Sequence, residues 1–523
     1  MRAYYFFFMG LIVTVNSLYG QSKIKCDLIE ISGIAFNKNP NIISTYYTIQ
    51  NAEASVQVQS GTFDYNLNSG LSYQRSNYNL YDADPRNEYV DSPLKSNSVE
   101  FSANLQKKFR TSQIAEVSLR YLYKDSNFPF NNFNEYVGPF YGNHTGVANF
   151  SLTQPLLRGR GRRIATTGER ISNLYTDKNK YDYEFTNSYE ILQIGTAYWS
   201  YYTAFKSLDV YIQNETRVRN LLEMTKELIK ADKKPQGDLA QINADLTNQE
   251  RLTFVARQNL YNARLTLGRA IGLSDEESQQ LDVPVNDFPE VSQSGYRENI
   301  NKNQFIKAAQ ENRGDLKAIK KISEAVELQY QLAENNLKPQ LDLTGFVYYG
   351  STSNGNGVDK TLSSFVNNQG QDVGGGAKLT FLFPLNNNVA KGNYSISKIA
   401  VKDQLVISDN AQRNIELNVN IAFNNLTNSV FILEKAKESM AFYQEAFNNE
   451  QTKFQMGLTT LFNLMQFQER YTYSELEYLN AEQQFSNAII SIRHETGTLI
   501  SKDKLDFNVI QNAFYTVPTI ENQ

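Results

Sequence analysis

Residues 454–497 read FQMGLTTLFNLMQFQERYTYSELEYLNAEQQFSNAIISIRHETG. Counting in sevens from Leu464 gives Tyr471, Tyr478, Phe485 and Ile492, and the positions three further on are Phe467, Ser474, Ala481 and Ala488. One seam is apolar or small throughout, which is the coiled-coil heptad of a helix packed along its length against other helices. Subtracting 225 from each number lands on Leu239, Leu246, Thr253, Leu260 and Leu267, with Ile242, Gln249, Ala256 and Ala263 in the companion row, which runs on to Ala270. The chain therefore reads as a tandem duplication of a long helical hairpin.

Outward from the heptads, each stretch is preceded by a second helical arm, about 165–232 and about 392–455. At 1.5 Å per residue each arm spans roughly 100 Å. The turns fall at 232–238 and 456–463, again 225 apart and so at the same end of the paired helices. Residues 273–301 and 499–523 follow Gly272 and Gly497, lack a period and are expected to be irregular connections.

Between the helical stretches lie segments of period two. In the first copy a helical segment, 27–61, runs into Tyr65, Leu67, Ser69, Leu71 and Tyr73; in the second, 302–338 runs into Leu341, Leu343, Gly345, Val347 and Tyr349. Three more alternating segments follow in the first copy (around Val99–Leu105, Ala115–Tyr123 and Ala148–Leu152) and one in the second (Ala377–Phe383). Apolar residues take one face and polar residues the other, as in half-buried strands. Connections alternate between a tight turn at Arg110–Ser112 and long loops at 78–95 and 126–144, the habit of outer-membrane barrels. Each last strand ends at a proline, Pro155 in QPLLRGRGRR (with Gly159 and Gly161) and Pro384 in FPLNNNVAKG. Proline cannot donate to a ladder, so these mark the junctions from sheet to helix.

The first twenty residues carry Arg2, an apolar core from about Tyr4 to Val15 and small residues near Gly20, as a cleaved secretory signal does. The expected organisation is a signal peptide at 1–20 and a first repeat at 21–301 (helix 27–61, strands about 64–155, hairpin about 165–272, connection 273–301). A second repeat follows at 302–498 (helix 302–338, strands about 340–384, hairpin about 392–498), then an irregular segment at 499–523.

Composition narrows the function. The chain has 33 Tyr and 31 Phe against one Trp, at a mean hydropathy of -0.49, which suits a protein that is mostly polar and meets an apolar phase in a few places. A net charge of -4 gives no footprint for nucleic acid. The single Cys26 excludes an internal disulfide framework, and Lys23 and Lys25 before it argue against a lipidated N-terminus. Two histidines, His144 and His494, lie 350 positions apart, and no phosphate loop, nucleophile elbow or metal-spaced cluster appears, so neither a cofactor nor catalysis is expected. Arg158, Arg160, Arg162 and Arg163 read either as a solvated basic junction or as a contact to anionic lipid head groups. Asp232 and Asp238 read either as pore-lining or as helix-capping residues. His494, among Arg493, Glu495 and Thr496, reads as an ordinary surface or interface histidine, and FPFNNFNEYVGPFY at 128–141 as an interfacial belt or packed loop.

Taken together, the chain resembles the TolC family of outer-membrane efflux proteins. The resemblance covers nearly the whole mature chain. It rests on NKNP…GTFDYNLNSGLSY and NLKPQLDLTGFVYY, on the QPLL and FPL exits, and on the turn FQMGLTTLFNLMQFQ, with Phe454, Gly457, Asn463 and Leu464 in the positions of the family's Y-x-x-G-x-x-x-x-x-D-v-l-x-A pattern. It implies an α+β membrane protein: a trimeric outer-membrane β-barrel continuous with a long periplasmic α-helical barrel. It also implies a passive exit duct of a tripartite efflux or type I secretion system, working with a periplasmic adaptor (membrane fusion protein) and an inner-membrane pump, with the adaptor docking at 232–238 and 456–463. The periplasmic gate residues would be Asp232, Asp238, Phe454, Gly457, Thr459, Asn463 and Gln466. Two departures stand out. Six strands are counted where the family protomer usually has four, which leaves a barrel of twelve or eighteen strands. Asn463 and Gln466 also stand where an acidic ring is usual, which implies weaker cation block and a less ionic latch. An exported coiled-coil scaffold or adhesin is the alternative, and it leaves the dyad strands unexplained.

Overall fold

The computed structural model describes residues 23–91, 93–131, 134–366, 371–503 and 505–518. The expected signal peptide at 1–20 lies outside them, as does the end of the C-terminal segment. In chain order the strands are β1 (Ile24–Cys26), β2 (Tyr65–Tyr78), β3 (Leu94–Lys108), β4 (Ile114–Ser126), β5 (Asn143–Pro155), β6 (Leu281–Pro284), β7 (Gln340–Asn354), β8 (Asp372–Leu382), β9 (Ile500–Asp503) and β10 (Asp506–Val509). The helices are α1 (Leu28–Lys38), α2 (Pro40–Ser60), α3 (Arg162–Ala165), α4 (Thr167–Lys230), α5 (Gly237–Ile271), α6 (Asp275–Gln279), α7 (Tyr296–Asn299), α8 (Lys302–Asn312), α9 (Gly314–Asn336), α10 (Val358–Val366), α11 (Asn388–Gln455) and α12 (Leu461–Glu495). Among the described residues no helix is long and apolar enough to cross a membrane.

Two compact units form. The first takes the described residues up to 47 together with 180–316 and 411 onward, and it is helical. The heptad seam is its inner surface: Leu464, Tyr471, Phe485 and Ile492 are buried on α12, and Ile242, Thr253, Ala256 and Leu267 on α5. Three apolar clusters line it. Near the turns, Val218, Leu221 and Leu222 of α4 and Ile242 of α5 meet Phe447 and Phe454 of α11 and Leu461, Leu464 and Tyr471 of α12. A second joins α8, α11 and α12 around Phe305, Val419, Leu426 and Phe485. The third holds Trp199, Tyr198 and Tyr201 of α4 against Cys26, Leu28 and Ile31.

The helices expected over 27–61 and 302–338 are each broken once. Asn39 is extended (φ -66°, ψ 122°), and its side-chain oxygen accepts from the backbone of Asn41 and Ile42 at 2.9 and 3.2 Å, capping a helix that opens on Pro40. In the second copy Arg313 is extended (ψ 128°) ahead of Gly314. The connections expected to be irregular also carry structure. Ser274 and Glu277 form a capping box that opens α6, β6 pairs in parallel with β1, and β9 and β10 make a hairpin. Pieces of three to five residues are too short to show a period, which is why the text around them looks shapeless.

The second unit, residues 48–179 and 317–410, holds a single sheet of six antiparallel strands in the order β2-β3-β4-β5-β7-β8. Its register lines up side chains in rows. Leu67, Leu105, Val117, Phe150 and Val347 lie side by side across five strands, and the neighbouring row of the opposite face is Asn66, Gln106, Glu116, Ser151 and Phe346. One face is thus an apolar band and the other is largely polar. All six strands belong to one continuous ladder, with β3 and β4 inserted between β2 and β5.

Candidate functional site

The two hairpin turns end their first arms in the same way. Gly457 has φ +77°; its N–H donates to the carbonyl of Phe454, and the Leu458 N–H reaches back to Lys453 at 2.9 Å. That is a Schellman stop, which requires a left-handed residue. Asp232, 225 positions earlier, has φ 54° and the same two bonds, Asp232 N–H to Ile229 and Lys233 N–H to Leu228. Asp232 is therefore the residue at which α4 stops rather than a side-chain cap. Asp238 sits in the first turn of α5, where the helix dipole favours a carboxylate.

The structure brings the turns together through Lys234, which the sequence reading missed. Its ammonium donates to the backbone carbonyl of Thr459 at 2.7 Å and lies 4.6 Å from the centre of the fully buried Phe454 ring. Glu450, also missed, is buried one turn before Phe454; it accepts from the Thr459 hydroxyl and pairs with Lys453 at 3.1 Å. These two partners hold its carboxyl below the usual range, the Thr459 hydrogen bond most of all. Thr460 caps α12 by accepting from the Asn463 N–H at 3.2 Å, and the Asn463 amide donates to Thr459 at 3.4 Å. Gln466, Asn463, Gly457 and Asp232 are exposed, so Phe454 and Thr459 are the members of the candidate set drawn into the contact between the turns. The spacing of Glu450 and Lys453, three apart on one helix face, was the one sequence signal for the buried carboxylate.

At the sheet exit the backbone after Pro155 is tied down bond by bond. Leu156 N–H donates to Leu341 at 2.7 Å, Gly159 N–H to the Asn335 side chain at 2.8 Å and Gly161 N–H to the Ser112 hydroxyl at 3.0 Å. Gly159 and Gly161 have φ of +78° and +88°, which explains the two glycines. Pro384 lies exposed just beyond β8. Arg158 is engaged by Gln340, and Arg163 donates to Gln331 at 2.6 Å. Arg160 and Arg162 point outward, and Arg162 borders an open cavity of about 370 Å³ lined also by Phe63, Lys107, Lys108, Phe109 and Arg110. At the other end of the sheet the loop aromatics Phe128 and Phe130 pack with Tyr89, whose ring lies 4.9 Å from Phe130, and Tyr136 packs edge-on against Phe130, so these rings pack within the loop.

His494 is not at the surface. It is buried, with Nδ1 2.9 Å from the Ser188 hydroxyl and its ring against Phe185 and Tyr189. Its partners lie about three hundred residues away in sequence, which is why the polar text around it looked solvated. Among the described residues no group of His, Cys, Asp or Glu is placed to hold a metal ion.

The profile of the outer membrane efflux protein family matches residues 305–498. The chain is 22% identical over 450 residues to outer membrane protein TolC of Escherichia coli, covering 79% of this chain and 85% of that protein. Both similarities are to outer-membrane efflux proteins. Solved structures of outer-membrane channels share the chain's fold. The CmeC outer membrane channel of Campylobacter jejuni matches with a TM-score of 0.64 at 13% identity, covering 90% of this chain and 85% of that one. VceC of Vibrio cholerae matches with a TM-score of 0.62 at 10% identity, covering 90% and 96%. The similarity to TolC and to these channels supports an outer-membrane exit duct with a periplasmic extension.

Proposed function

We propose that the chain works as a homotrimer, the outer-membrane component of a tripartite efflux or type I secretion system, coupled through a periplasmic adaptor to an inner-membrane pump. The observation that carries this reading is the open sheet. β2 and β8, 14 and 11 residues long, each have a partner on one side only, while one face of the sheet is an apolar band. Lipid offers no partner for unpaired backbone groups, so a membrane sheet must close on itself. Six strands close poorly alone, and three copies supply eighteen. The paired turns at 232–238 and 456–463 are the adaptor's docking surface and the gate. Lys234, bonded to a carbonyl and stacked on Phe454, makes a latch of charge against dipole and ring, with Asn463 and Gln466 replacing an acidic ring. Arg162, with Lys107 and Lys108 around the same cavity, faces the phosphates of the inner leaflet.

The test is single-channel conductance of the detergent-purified, signal-cleaved protein in planar bilayers, paired with its mass in detergent. The expected result is a trimer of low conductance whose open time rises when Lys234→Met removes the bond to Thr459 but keeps the apolar stem on Phe454. A bond to a charged donor contributes about 1.5–3 kcal/mol, so a roughly tenfold rise is expected. Divalent cations should block it weakly. A monomer without conductance overturns the reading.

A further inference from the structure

Helix α10, in the loop between β7 and β8, lies flat on one face of the sheet. Adding a Cβ at Gly146 of β5 would bring it within 2.6 Å of the Ser364 carbonyl and 2.8 Å of the Phe365 ring, so the helix rests on that backbone. Gly146 pairs with Tyr121 and Ser351, the residues two rows along from Val117, Phe150 and Val347. The helix therefore covers the apolar face of the wall, the one that meets lipid in a closed barrel. What it covers is polar. His144 is buried there, with Nδ1 2.7 Å from the Tyr121 hydroxyl and Nε2 3.0 Å from the Gly355 carbonyl. Tyr121 also contacts the Thr361 hydroxyl at 3.1 Å, Ser363 donates to Ser353 at 2.9 Å, and Ser351, Ser353 and Ser364 are buried. Left bare toward hydrocarbon, such a patch would be costly.

The outer surface of the same helix is apolar. Val358, Leu362 and Val366, four residues apart, are 84%, 73% and 74% exposed. Gly146 lies six residues along β5 from Leu152, roughly 15 Å up the wall for a strand tilted as in outer-membrane barrels. An apolar band there is about 25 Å tall, so the helix falls within its upper part.

We propose that α10 is a lipid-facing patch on the outside of the barrel: its inner side bonds Tyr121 and Ser353, the Gly355 carbonyl just ahead of it meets His144, and Val358, Leu362 and Val366 contact acyl chains of the outer leaflet. The continuity of this stripe with the apolar band selects lipid over a protein partner. The inference rests on the barrel reading above, and the experiment separates the two.

Single tryptophans are placed at Val358, Leu362 or Val366 in the full signal-cleaved protein, reconstituted into vesicles of dibrominated phosphatidylcholine. The native Trp199 is fully buried in the helical core and gives a constant background. Val347→Trp, on the bare band, is the lipid reference, and Tyr81→Trp, in an exposed loop, is the aqueous one. The expected result is at least a twofold loss of emission from brominated lipid at all three helix positions, with little quenching by iodide. Quenching by iodide alone, or by neither agent, while Val347→Trp responds to brominated lipid, overturns the inference. Absence of lipid quenching at Val347→Trp overturns the barrel reading and the inference with it. The three positions are exposed, so loss of folding at one leaves two that decide.

Discussion

At the scale of single residues, His494 is the side chain with the clearest energetic signature. Burial, then the nearby Arg313 charge, pushes its imidazole down to about 4. Arg313, itself buried, is paired with Asp315 at 2.8 Å and with Glu495, so the site around the ring already holds its positive charge. The unfolded chain takes up a proton at this histidine near the ordinary value, whereas the folded chain resists it. Stability from His494 is therefore complete above pH ~6.5 and is lost as pH falls toward ~4, amounting to about 2 kcal/mol between pH 7 and 5. Glu495, whose carboxyl burial raises, acts in the opposite sense, losing its contribution as pH climbs through its folded value. Comparing the native chain with His494→Gln isolates the histidine. Thermal unfolding in detergent, followed by circular dichroism, should show the native protein losing more stability than the variant over that interval. Equal losses would mean that the imidazole is protonated in the fold. Cys26 is the opposite case, a thiol that burial pushes up to about 12 and so keeps inert.

At the scale of elements, the helix ends carry the duplication more plainly than the helices do. Asp232 and Gly457 stop the first arms, and Gly272 and Gly497 stop the second. All four are left-handed and all four carry the paired Schellman bonds. Asp232 is the one non-glycine among them. Replacing it with glycine should leave stability nearly unchanged, while Asp232→Val should cost about 1–2 kcal/mol through the Cβ clash of a branched residue at positive φ. Equal melting points for the two variants would show that the turn relaxes away from this conformation. Which elements were legible follows from length. Heptads sustained over thirty-five residues on α5 and α12, and dyads over eleven to fifteen on the six strands, repeat often enough to be read without knowing their partners. The nine residues of α10 sit in a loop of serines and asparagines, and its purpose depends on Tyr121, 240 positions before Thr361. The contact between the turns was half legible: Phe454 and Thr459 stood out in the turn pattern, but Lys234 acquires its partners only when the other turn arrives beside it.

At the scale of the whole molecule, the question is how the sheet ends. In antiparallel pairing each strand points alternate backbone groups to either side, so about half of the amides of an edge strand have no partner in the sheet. In this protomer those are the outward amides of β2 and β8. A trimer that closes through these edges gives every one of them an acceptor; a trimer held together only by its helices leaves them bare. Hydrogen exchange measured by mass spectrometry on the detergent trimer distinguishes the two. Peptides spanning 65–78 and 372–382 should exchange as slowly as the central β4, and heat-dissociated monomers should release roughly half of those amides quickly. If the edge peptides of the intact trimer show that fast half, closure does not run through β2 and β8. A count of eighteen strands would then fail even with a trimeric mass. Uniform protection would instead mean that β3 and β4, held between β2 and β5 by unbroken ladders on both sides, are part of the wall, because no closed ring through β2 and β8 can leave them out.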